Sequence, residues 1–350
     1  MIESSSKATT VTHNTALRDS LAFINSAICK VVFVESSDKT VVGSLTDGDV
    51  RRALLDGKSL DCPVSVIMNK DFLFSYIKPD YSTLSKSMSR KKIQIAPILT
   101  DDHRLDSLFI INPAAVVDSF SKRENPVVIM AGGKGSRLSP ITDDCPKPML
   151  NLGGKPMLET ILDRFISSGF TNFFFSVNYL KNQIIDYFGD GENWGVSINY
   201  LIEDEPLGTA GSLSLLPLST ETLIVTNCDV ITDVDYSNLL HFHHMQKSDA
   251  TICVREHHTR LPFGIITSQG PKLISIQEKP LLSHFVNTGI YLLEPKCISH
   301  VLPNSFVDMP DLFQSLLKLS YNVCSCPVHE YWLDVGRHES LQQARSDFSS

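Results

Sequence analysis

The feature that most constrains this chain is a regular alternation of short apolar segments with amphipathic ones, which begins at Pro126 and continues almost to the last residue. Residues 127–130 form the first apolar segment, and their length and composition are typical of a buried strand. Residues 157–168 carry apolar side chains at helical spacing, and Gly169 follows where a helix would end. Strands that alternate with helices predict right-handed βαβ units and therefore an α/β fold with a doubly wound, mostly parallel sheet.

The same pattern predicts the remaining elements of this region. Further strands are predicted at 173–177, 196–202 and 222–226, and further helices at 181–188 and 209–216. Between residues 250 and 293 the sequence becomes strand-rich, with a turn at Gln269 and Gly270. This predicts an antiparallel extension of the Rossmann-like sheet. Two predicted helices, 309–319 and 338–346, flank a last predicted strand at 323–329.

The region before residue 112 has a different character, because it holds two imperfect copies of one α+β unit. In the first copy, predicted strands at 31–34 and 41–45 form a hairpin, and a helix at 49–55 follows. The second copy has predicted strands at 94–99 and 108–111 and stops where the matching helix would begin.

These patterns divide the 350-residue chain into an α+β domain at 14–112, a polar linker at 113–125 and a larger domain at 126–347. Residues 1–14 are rich in Ser and Thr and have no apolar core, so we expect them to form a frayed tail.

Composition excludes several classes of protein. The net charge is −8, so the chain lacks the basic surface of a nucleic-acid-binding protein. No apolar run approaches the roughly 20 residues that span a bilayer, and the N-terminus does not read as a secretory signal. The eight cysteines show no paired CxxC spacing. We therefore expect a cytoplasmic protein with reduced, buried cysteines and with neither a nucleic-acid nor a membrane partner.

A glycine-rich loop, reading AGGKGSR from Ala131 to Arg137, directly follows the first predicted strand. Glycines let the backbone approach a polyphosphate and point N–H groups at it. The guanidinium of Arg137 can bind two phosphate oxygens at once. Ten residues further on, Lys147 lies between two prolines that stiffen its backbone, which suits it to stabilise negative charge. The glycines alone would also fit an ordinary strand-to-helix turn, because the loop matches neither a P-loop nor a dinucleotide-binding motif.

Two aspartates occupy positions suited to a metal ion. Asp229 follows the predicted strand at 222–226, and ligands bind at the carboxyl ends of parallel strands. Asp334 is a lone carboxylate in the apolar stretch WLDVG. Two converging carboxylates suit Mg²⁺, a hard cation that also takes phosphate oxygens. The alternative is that Asp229 caps a helix and Asp334 lies in a turn.

The stretch HFHHM places His241 and His244 one helical turn apart, which would allow a metal pair. No third ligand is evident in the sequence, and structural zinc sites take four. We expect these two residues and His243 to be surface and packing histidines.

The motifs AGGKGSRLSPIT and CPKPML resemble the signature of the sugar-phosphate nucleotidyltransferases, also called nucleoside-diphosphate-sugar pyrophosphorylases. The resemblance continues through LGTAG, NCD, FG, QEKP, VNTGIY and WLDVG, in the order and at the spacing of that family. It implies an enzyme that transfers a nucleotidyl group from a nucleoside triphosphate to a sugar 1-phosphate and releases pyrophosphate, with Mg²⁺ as cofactor.

The resemblance also implies roles for individual residues. The catalytic residues would be Arg137, Lys147, Asp229 and Asp334, with the two aspartates as metal ligands. The nucleotide would be bound by Ala131, Gly132, Gly133, Gly135, Ser136, Arg137, Glu203, Gly208 and Thr209. The sugar phosphate would be bound by Phe263, Gly264, Glu278, Lys279, Asn287 and Thr288. An exposed pair such as Glu278 and Lys279 would otherwise be a solvated surface.

Glu203 bears on the choice of nucleotide, because related enzymes contact the base from the residue five before the glycine of LGTAG. A carboxylate only accepts hydrogen bonds, and guanine offers two adjacent donors, N1–H and N2–H₂. Uracil and thymine offer one donor beside acceptors, for which Gln would fit better. Glu203 therefore favours GTP.

The segment VVGSLTDGDVRR resembles the end of a CBS motif, and residues 14–111 resemble a CBS pair whose second copy is degenerate. The resemblance implies that Thr46, Asp49 and Arg51 would bind an adenine nucleotide with a regulatory role, and Arg52 could replace Arg51 at its phosphates. The alternative is a packing or dimerisation domain without a ligand. A CBS pair before a transferase domain resembles guanylyltransferases that activate glucosamine 1-phosphate for nonulosonic acids such as legionaminic acid. We expect a homodimer or higher homo-oligomer.

Other functions stay open. Mannose 1-phosphate or a heptose 1-phosphate could replace glucosamine 1-phosphate, and UTP or CTP could replace GTP. A non-catalytic, nucleotide-sensing CBS protein on an inactive transferase fold is the competing class. A purely architectural dimer is the third.

Overall fold

The structure is a computed structural model that describes residues 2–4, 10–91, 93–111, 122–217 and 219–348. The chain divides into two units, Met1–Ser119 and Phe120–Ser350. The predicted linker falls mostly on residues 112–121, which lie outside the described residues. The bounds of the linker and of the two predicted domains therefore stay predictions.

The first unit contains two small sheets. Its elements are β1 (Ile2–Ser4), β2 (Thr10–Thr12), α1 (Leu17–Ser26), β3 (Val31–Glu35), β4 (Val41–Thr46), α2 (Asp47–Leu55), β5 (Ser75–Tyr76), α3 (Tyr81–Lys91), β6 (Ile95–Leu99) and β7 (Leu105–Ile110). The sheets have the strand orders β2-β3-β4 and β1-β7-β6-β5. Each contains one of the two predicted hairpins, β3–β4 or β6–β7. Phe33 and Val41 of the first hairpin share an apolar cluster with Ile95 and Leu108 of the second, so the two copies pack together.

The expected frayed tail at residues 1–14 is wrong, because β1 and β2 lie within it. β1 pairs antiparallel with β7, and β2 pairs parallel with β3, with Thr10 opposite Phe33. Hydrogen bonds to strands that already belong to a sheet order these segments, although they contain few large apolar side chains. Val11 is buried and joins the core of the first unit.

The second unit is built on one large sheet. Its elements are β8 (Val127–Met130), β9 (Asn151–Leu152), β10 (Lys155–Pro156), α4 (Met157–Ser167), β11 (Asn172–Val177), α5 (Lys181–Phe188), β12 (Ser197–Ile202), α6 (Gly208–Gly211), β13 (Leu223–Asn227), β14 (Val230–Thr232), α7 (Tyr236–Met245), β15 (Ala250–Arg260), β16 (Ile265–Gln269), β17 (Lys272–Gln277), β18 (Leu281–Leu293), α8 (Pro295–Ile298), α9 (Met309–Lys318), β19 (Val323–Pro327), β20 (Trp332–Asp334) and α10 (His338–Asp347). The sheet has seven strands in the order β12-β11-β8-β13-β18-β15-β19. The first four of these are parallel, which confirms the predicted α/β fold with a mostly parallel central sheet.

Helices cover both faces of this sheet, as a doubly wound arrangement requires. Side chains alternate along each strand, so neighbouring residues point to opposite faces. Val127 and Ile129 of β8 pack in a cluster with Phe165 of α4, whereas Val128 packs in a second cluster with Leu312 of α9. The continuous apolar run of β8 is thus explained by burial on both faces.

The predicted antiparallel extension is confirmed, because β18 pairs antiparallel with both β13 and β15. Strands β16 and β17 form a separate hairpin with Gly270 in its turn at φ +60°, where the sequence predicted a turn. Ile266 and Ile276 lie opposite each other in this hairpin and are 62% and 61% exposed. The hairpin therefore presents apolar side chains to solvent beside the main sheet.

The predicted helix at 209–216 is wrong in its extent. Regular helix α6 is a single turn that ends at Gly211, and a 3₁₀ turn, Ser212–Leu215, follows it. A Cβ at Gly211 would collide with the carbonyl oxygen of Ser305. Glycine is a poor helix former, and the chain at 305–307 packs directly against this backbone, so the regular helix extends no further.

None of the helices that the described residues form is long and apolar enough to cross a membrane. The eight cysteines form no disulfide. Cys228, Cys253, Cys297 and Cys326 are buried, and burial raises the pKa of the Cys228 thiol to about 12. The expectation of buried cysteines therefore holds for these four, which pack as small apolar groups. The other four, Cys29, Cys62, Cys145 and Cys324, are only partly buried.

Candidate active site

The glycine-rich loop begins at Ala131, whose N–H donates a hydrogen bond to the carbonyl oxygen of Ser176 in β11 at 2.8 Å. This bond continues the strand pairing past the end of β8 and fixes the start of the loop. A Cβ at Gly133 would have no neighbouring atom of the described residues within 4 Å, so the backbone there faces open space. The 3₁₀ turn Ser136–Leu138 follows, with Leu138 buried and Arg137 exposed. The loop is therefore anchored at both ends and open between them.

Lys147 lies against the same loop. Gly135 has φ +64°, and a Cβ on it would lie 3.0 Å from the Cβ of Lys147. Thr142 donates from Oγ1 to the carbonyl oxygen of Gly135 at 3.0 Å, which holds the turn in place. Lys147 is 7% exposed, and its Nζ forms an ion pair with Asp229. The sequence-predicted lysine is thus buried beside the loop and paired with a sequence-predicted aspartate.

A short two-stranded ribbon brings the two predicted aspartates together. Strands β14 and β20 pair antiparallel with Val230 opposite Asp334, and the N–H of Val335 donates to the carbonyl oxygen of Asp229 at 2.9 Å. This pairing places the two aspartates next to each other across the ribbon. Asp229 immediately precedes β14 and Asp334 ends β20, so Asp229 does not cap a helix and Asp334 does not lie in a turn. Their role as metal ligands stays a prediction.

The electrostatics of this pair match a cation site. Burial raises the pKa of Asp334, the charge of Asp229 raises it further, and Lys147 and Arg137 act in the opposite direction. Two neighbouring carboxylates repel each other, and a divalent cation bound to both would offset that repulsion. The donor set of two carboxylates beside a phosphate-type loop fits a hard cation such as Mg²⁺.

Glu203 lies beside the start of the glycine-rich loop, next to Gly132. It is 6% exposed, and a Cβ on Gly132 would lie 3.1 Å from its Oε1. Ser176 donates from Oγ to Oε1, and the N–H of Leu207 donates to Oε2 at 2.8 Å. Each carboxylate oxygen accepts one internal hydrogen bond and keeps a second lone pair. Glu203 is therefore rigidly held as an acceptor at the start of the glycine-rich loop.

Gly208 and Thr209 are engaged with the start of helix α9. Gly208 has φ +77°, and a Cβ on it would lie 2.6 Å from the carbonyl oxygen of Val307. The N–H of Thr209 donates to Oδ1 of Asp308 at 3.1 Å, and the N–H of Met309 donates to Oγ1 of Thr209 at 2.8 Å. The side chain of Thr209 thus caps a helix, and its role towards a nucleotide stays a prediction.

The residues predicted to bind the sugar phosphate lie at the base of the β16–β17 hairpin and on β18. A Cβ on Gly264 would lie 2.8 Å from Oε2 of Glu278, so these two residues are neighbours. Phe263 is 75% exposed, and Lys279 is exposed at φ +44°. Within the described part of the chain, no hydrogen bond or ion pair joins Glu278 or Lys279 to the loop arginine, to Lys147 or to the aspartate pair.

The two predicted residues on β18 point in different directions. Thr288 is buried, and its Oγ1 donates to the carbonyl oxygen of Cys253 at 2.9 Å. Asn287 is exposed, and its Nδ2 donates to the hydroxyl of Tyr291 at 2.7 Å. The structure therefore offers Asn287 to a ligand more directly than Thr288.

The predicted nucleotide residues of the first unit meet at the start of α2. The N–H and Oγ1 of Thr46 donate to Oδ2 of Asp49 at 2.9 Å and 2.6 Å, and the N–H of Asp49 donates back to Oγ1 of Thr46. This is a capping box, which stabilises the first turn of a helix. Arg51 donates from Nε to Oδ2 of Asp47 at 2.6 Å. The structure brings these residues together through contacts within the helix itself.

One basic residue at this centre was missed by the sequence analysis. Arg337 lines a cavity of about 280 Å³ together with Arg137, Asp334, Gly336 and two residues of the first turn of α10. The sequence does carry a signal for Arg337. It directly follows WLDVG and stands at the start of a predicted helix, where the helix dipole makes a cation unfavourable.

The histidines of α7 have no place in this centre. His243 is buried, with Nδ1 at 2.7 Å from Oγ1 of Thr251 and Nε2 at 3.0 Å from Oε1 of Glu294. His241 and His244 are exposed. The interpretation as surface and packing histidines is confirmed.

An α/β sheet with a glycine-rich loop, a buried lysine and a carboxylate pair at one edge is an arrangement suited to bind phosphate groups. Residues 126–350 match the family model described as nucleotidyl transferase. The chain therefore belongs to the nucleotidyl transferase family.

Curated relatives are similar over this region. A UTP–glucose-1-phosphate uridylyltransferase of Synechocystis sp. is 31% identical over 238 residues, which are 62% of this chain and 61% of the relative. A mannose-1-phosphate guanylyltransferase of Mycobacterium tuberculosis is 30% identical over 232 residues, 63% of each chain. The chain thus spans about 60% of the length of the curated relatives it matches.

Solved structures resemble the same part of the chain. A crystal structure described as a glucose-1-phosphate thymidylyltransferase from Bacillus anthracis, in complex with a sucrose, is 27% identical with a TM-score of 0.54 and covers 64% of this chain and 95% of its own. HddC from Yersinia pseudotuberculosis, complexed with GMP-PN, is 26% identical with a TM-score of 0.51 and covers 64% of this chain and 99% of its own.

Proposed function

We propose that residues 126–347 form a Mg²⁺-dependent sugar-1-phosphate nucleotidyltransferase, which converts a nucleoside triphosphate and a sugar 1-phosphate to a nucleoside-diphosphate sugar and pyrophosphate. The observation that carries this proposal is the ion pair of Lys147 with Asp229, together with the position of Asp334 next to Asp229 across the β14–β20 ribbon and beside the open glycine-rich loop. The names of the relatives, which are uridylyl-, guanylyl- and thymidylyltransferases, support the same reaction class.

In the proposed reaction, an oxygen of the sugar phosphate attacks the α-phosphorus of the triphosphate and forms the new P–O bond. The bond from the α-phosphorus to the bridging oxygen breaks, and its electron pair leaves with pyrophosphate. No nucleophile from the protein is needed. Lys147 and Arg137 stabilise the charge on the phosphates, the loop N–H groups orient them, and Lys279 holds the sugar phosphate. Asp229 and Asp334 would hold Mg²⁺, which neutralises phosphate charge when bound.

We propose GTP as the nucleotide. The rigid, acceptor-only carboxylate of Glu203 beside Gly132 supports a base with two adjacent donors. Glucosamine 1-phosphate is the proposed sugar, on the resemblance of the domain order to guanylyltransferases of nonulosonic (legionaminic) acid biosynthesis. Mannose 1-phosphate and a heptose 1-phosphate are the alternatives for the sugar, and UTP and CTP are the alternatives for the nucleotide.

For the first unit we propose a CBS pair at 14–112 that binds an adenine nucleotide through Thr46, Asp49 and an arginine of α2 and forms a homodimer or higher homo-oligomer. Arg51 is fully buried, so the exposed Arg52 is better placed than Arg51 to reach phosphates. The two packed hairpins, each in its own small sheet, support a repeated unit. Asp49 keeps one lone pair for a ribose hydroxyl, on Oδ1, because Oδ2 accepts two hydrogen bonds from Thr46 and Oδ1 pairs with Arg52.

The function is tested by incubating GTP, ATP, UTP, CTP and dTTP with glucosamine, mannose, glucose and heptose 1-phosphates, with and without Mg²⁺, and measuring pyrophosphate release. We expect the highest rate for GTP with glucosamine 1-phosphate and no rate without the cation. A protein that binds GTP yet releases no pyrophosphate with any sugar phosphate is instead a nucleotide sensor. One that binds neither substrate is architectural.

A further inference from the structure

The cavity beside the aspartate pair is lined by residues from two distant parts of the chain. Arg137 comes from the glycine-rich loop, and Asp334, Gly336 and Arg337 come from the end of β20 and the start of α10. Glu339 and Ser340 of the first turn of α10 complete the lining. Its volume of about 280 Å³ is roughly nine times the ~30 Å³ that one water occupies in the liquid, so it has room for a diphosphate group.

Two contacts fix this segment against the loop. A Cβ on Gly336 would lie 3.2 Å from Nη2 of Arg137, so the guanidinium packs on the backbone of Gly336. Nε2 of His338 lies 3.2 Å from the carbonyl oxygen of Ser139, just after the loop. Arg337, which lies between these contacts, is therefore held next to Arg137 at the same cavity.

The position of Arg337 is unfavourable with respect to the helix dipole. It is the N-cap residue of α10, where the helix dipole disfavours a cation, and it shares the cavity with a second guanidinium. Neither arginine forms an ion pair among the residues that the structure describes, although Asp334 and Glu339 lie on the cavity wall. A cation at a helix N-terminus breaks the usual preference for negative charge there, and such exceptions are expected at functional positions. A bound anion would compensate the unfavourable charge.

We infer that Arg137 and Arg337 together bind the β- and γ-phosphates of the triphosphate, and the pyrophosphate that leaves. This inference rests on the proposed function and extends it to a substrate-binding residue at the far end of the chain. Asp334 borders the same cavity, so a divalent cation held by the aspartates would lie beside this diphosphate. Glu339 does not match a diphosphate, and its charge would weaken the site.

The test is isothermal titration calorimetry of the full chain with magnesium pyrophosphate. We expect Arg337→Ala to weaken binding by about tenfold to a hundredfold, because a charge-assisted bidentate contact is lost. Arg337→Lys keeps the charge without the planar fork and should bind with intermediate affinity. Glu339→Gln should bind at least as tightly as the natural protein. Arg90→Ala, which removes an exposed arginine of α3, is the matched control and should bind unchanged.

Circular dichroism shows whether each variant is folded, and Arg337→Gln replaces Arg337→Ala if the latter is not. Equal affinity of a folded Arg337 variant and the natural protein overturns the inference, as does a natural protein that does not bind pyrophosphate. If the natural protein binds pyrophosphate through Arg337 but turns over no sugar phosphate, the proposed function fails while the diphosphate site stands. If turnover occurs but Arg337 variants bind pyrophosphate normally, the inference alone fails.

Discussion

The buried ion pair of Lys147 and Asp229 gives the sharpest test at the scale of single residues. We expect Asp229→Asn to lower the rate of pyrophosphate release by on the order of 10²–10³, because a fixed charge beside the reacting phosphate is lost. The measurement is the steady-state rate with the best substrate pair, at saturating Mg²⁺.

The control for this prediction must separate catalysis from stability. Removing one partner of a buried ion pair lowers the free energy of unfolding by about 3–5 kcal/mol. The stabilities of Asp229→Asn and Lys147→Ala are therefore measured by denaturant unfolding before their rates are compared. Lys155→Ala breaks a more exposed pair, with Asp163, and should alter neither rate nor stability much. A folded Asp229→Asn protein with near-normal turnover would contradict the assignment of Asp229.

His243 predicts a pH dependence of stability. Burial lowers the pKa of His243 below its usual value of 6.5, although Glu294 acts in the opposite direction. Below about pH 6.5 the unfolded chain therefore binds a proton that the folded chain does not, and stability falls as the pH falls through this range. We expect the free energy of unfolding of His243→Gln to depend less on pH between about 7 and 5 than that of the natural protein. Parallel pH profiles would show that His243 is not responsible.

At the residue scale, spacing and neighbours predicted Arg137, Lys147, Asp229 and Asp334, and the structure brings them to one edge of the sheet. Lys147 lies between two prolines, Asp229 follows a predicted strand, and Arg137 ends the glycine-rich loop. Asp334 had the weaker signal of a lone carboxylate in an apolar stretch, to which the family resemblance gave a role. Arg337 was missed because its role depends on a cavity between the last helix and the loop, and that cavity exists only in the folded protein.

The glycine-rich loop allows a matched pair of substitutions at the scale of elements. A Cβ on Gly133 enters open space, so we expect Gly133→Ala to leave the free energy of unfolding within about 0.5 kcal/mol while raising the KM for the triphosphate. Gly135 has φ +64°, and a Cβ on it would press against the Cβ of Lys147. We therefore expect Gly135→Ala to raise the KM as well and to lower the free energy of unfolding by about 1–2 kcal/mol. The measurements are denaturant unfolding and initial rates. An unchanged KM in Gly133→Ala would show that the triphosphate does not approach this backbone.

Elements were predicted well where periodicity and breakers agree, as for α5, whose bounds match the prediction of 181–188. Elements were predicted poorly where a segment distant in sequence determines whether the element forms or where it ends. The helix at 209–216 is cut short by the chain at 305–307, and the strands β1 and β2 exist because β7 and β3 offer them hydrogen bonds. Neither partner is visible in a local window of sequence.

At the scale of the whole molecule, the first unit predicts a regulatory response. We expect an adenine nucleotide to bind the full chain, with Thr46→Val weakening that binding because the hydroxyl next to Asp49 is lost. If the two units are coupled, the same nucleotide changes the KM for the triphosphate, and the triphosphate changes the nucleotide affinity by an equal factor when both are measured as binding constants.

Calorimetry on the full chain measures both affinities. Ser26→Ala, which removes an exposed hydroxyl of α1, is the matched control and should bind the adenine nucleotide normally. Absence of binding by all adenine nucleotides would leave the first unit as a packing or dimerisation domain.

The two-unit division and the doubly wound sheet follow from the change of sequence pattern after residue 112 and from the strand–helix alternation. The strand order could not be read in the same way. β15 pairs with β19 across about 70 residues, and the ribbon β14–β20 joins positions about 100 residues apart. Long-range pairings leave no periodicity in the local sequence. The β14–β20 ribbon is nevertheless the pairing that brings the two aspartates together.

The β16–β17 hairpin pairs mainly with itself and exposes both Ile266 and Ile276. A lone two-stranded hairpin is marginally stable in water, so its amides should exchange with deuterium faster than those of β8 or β13 in the middle of the sheet. Gly264 and Glu278 lie at its base. A sugar phosphate that binds there would therefore slow exchange along the whole hairpin, and the enzyme would reach its most rigid form when both substrates are present.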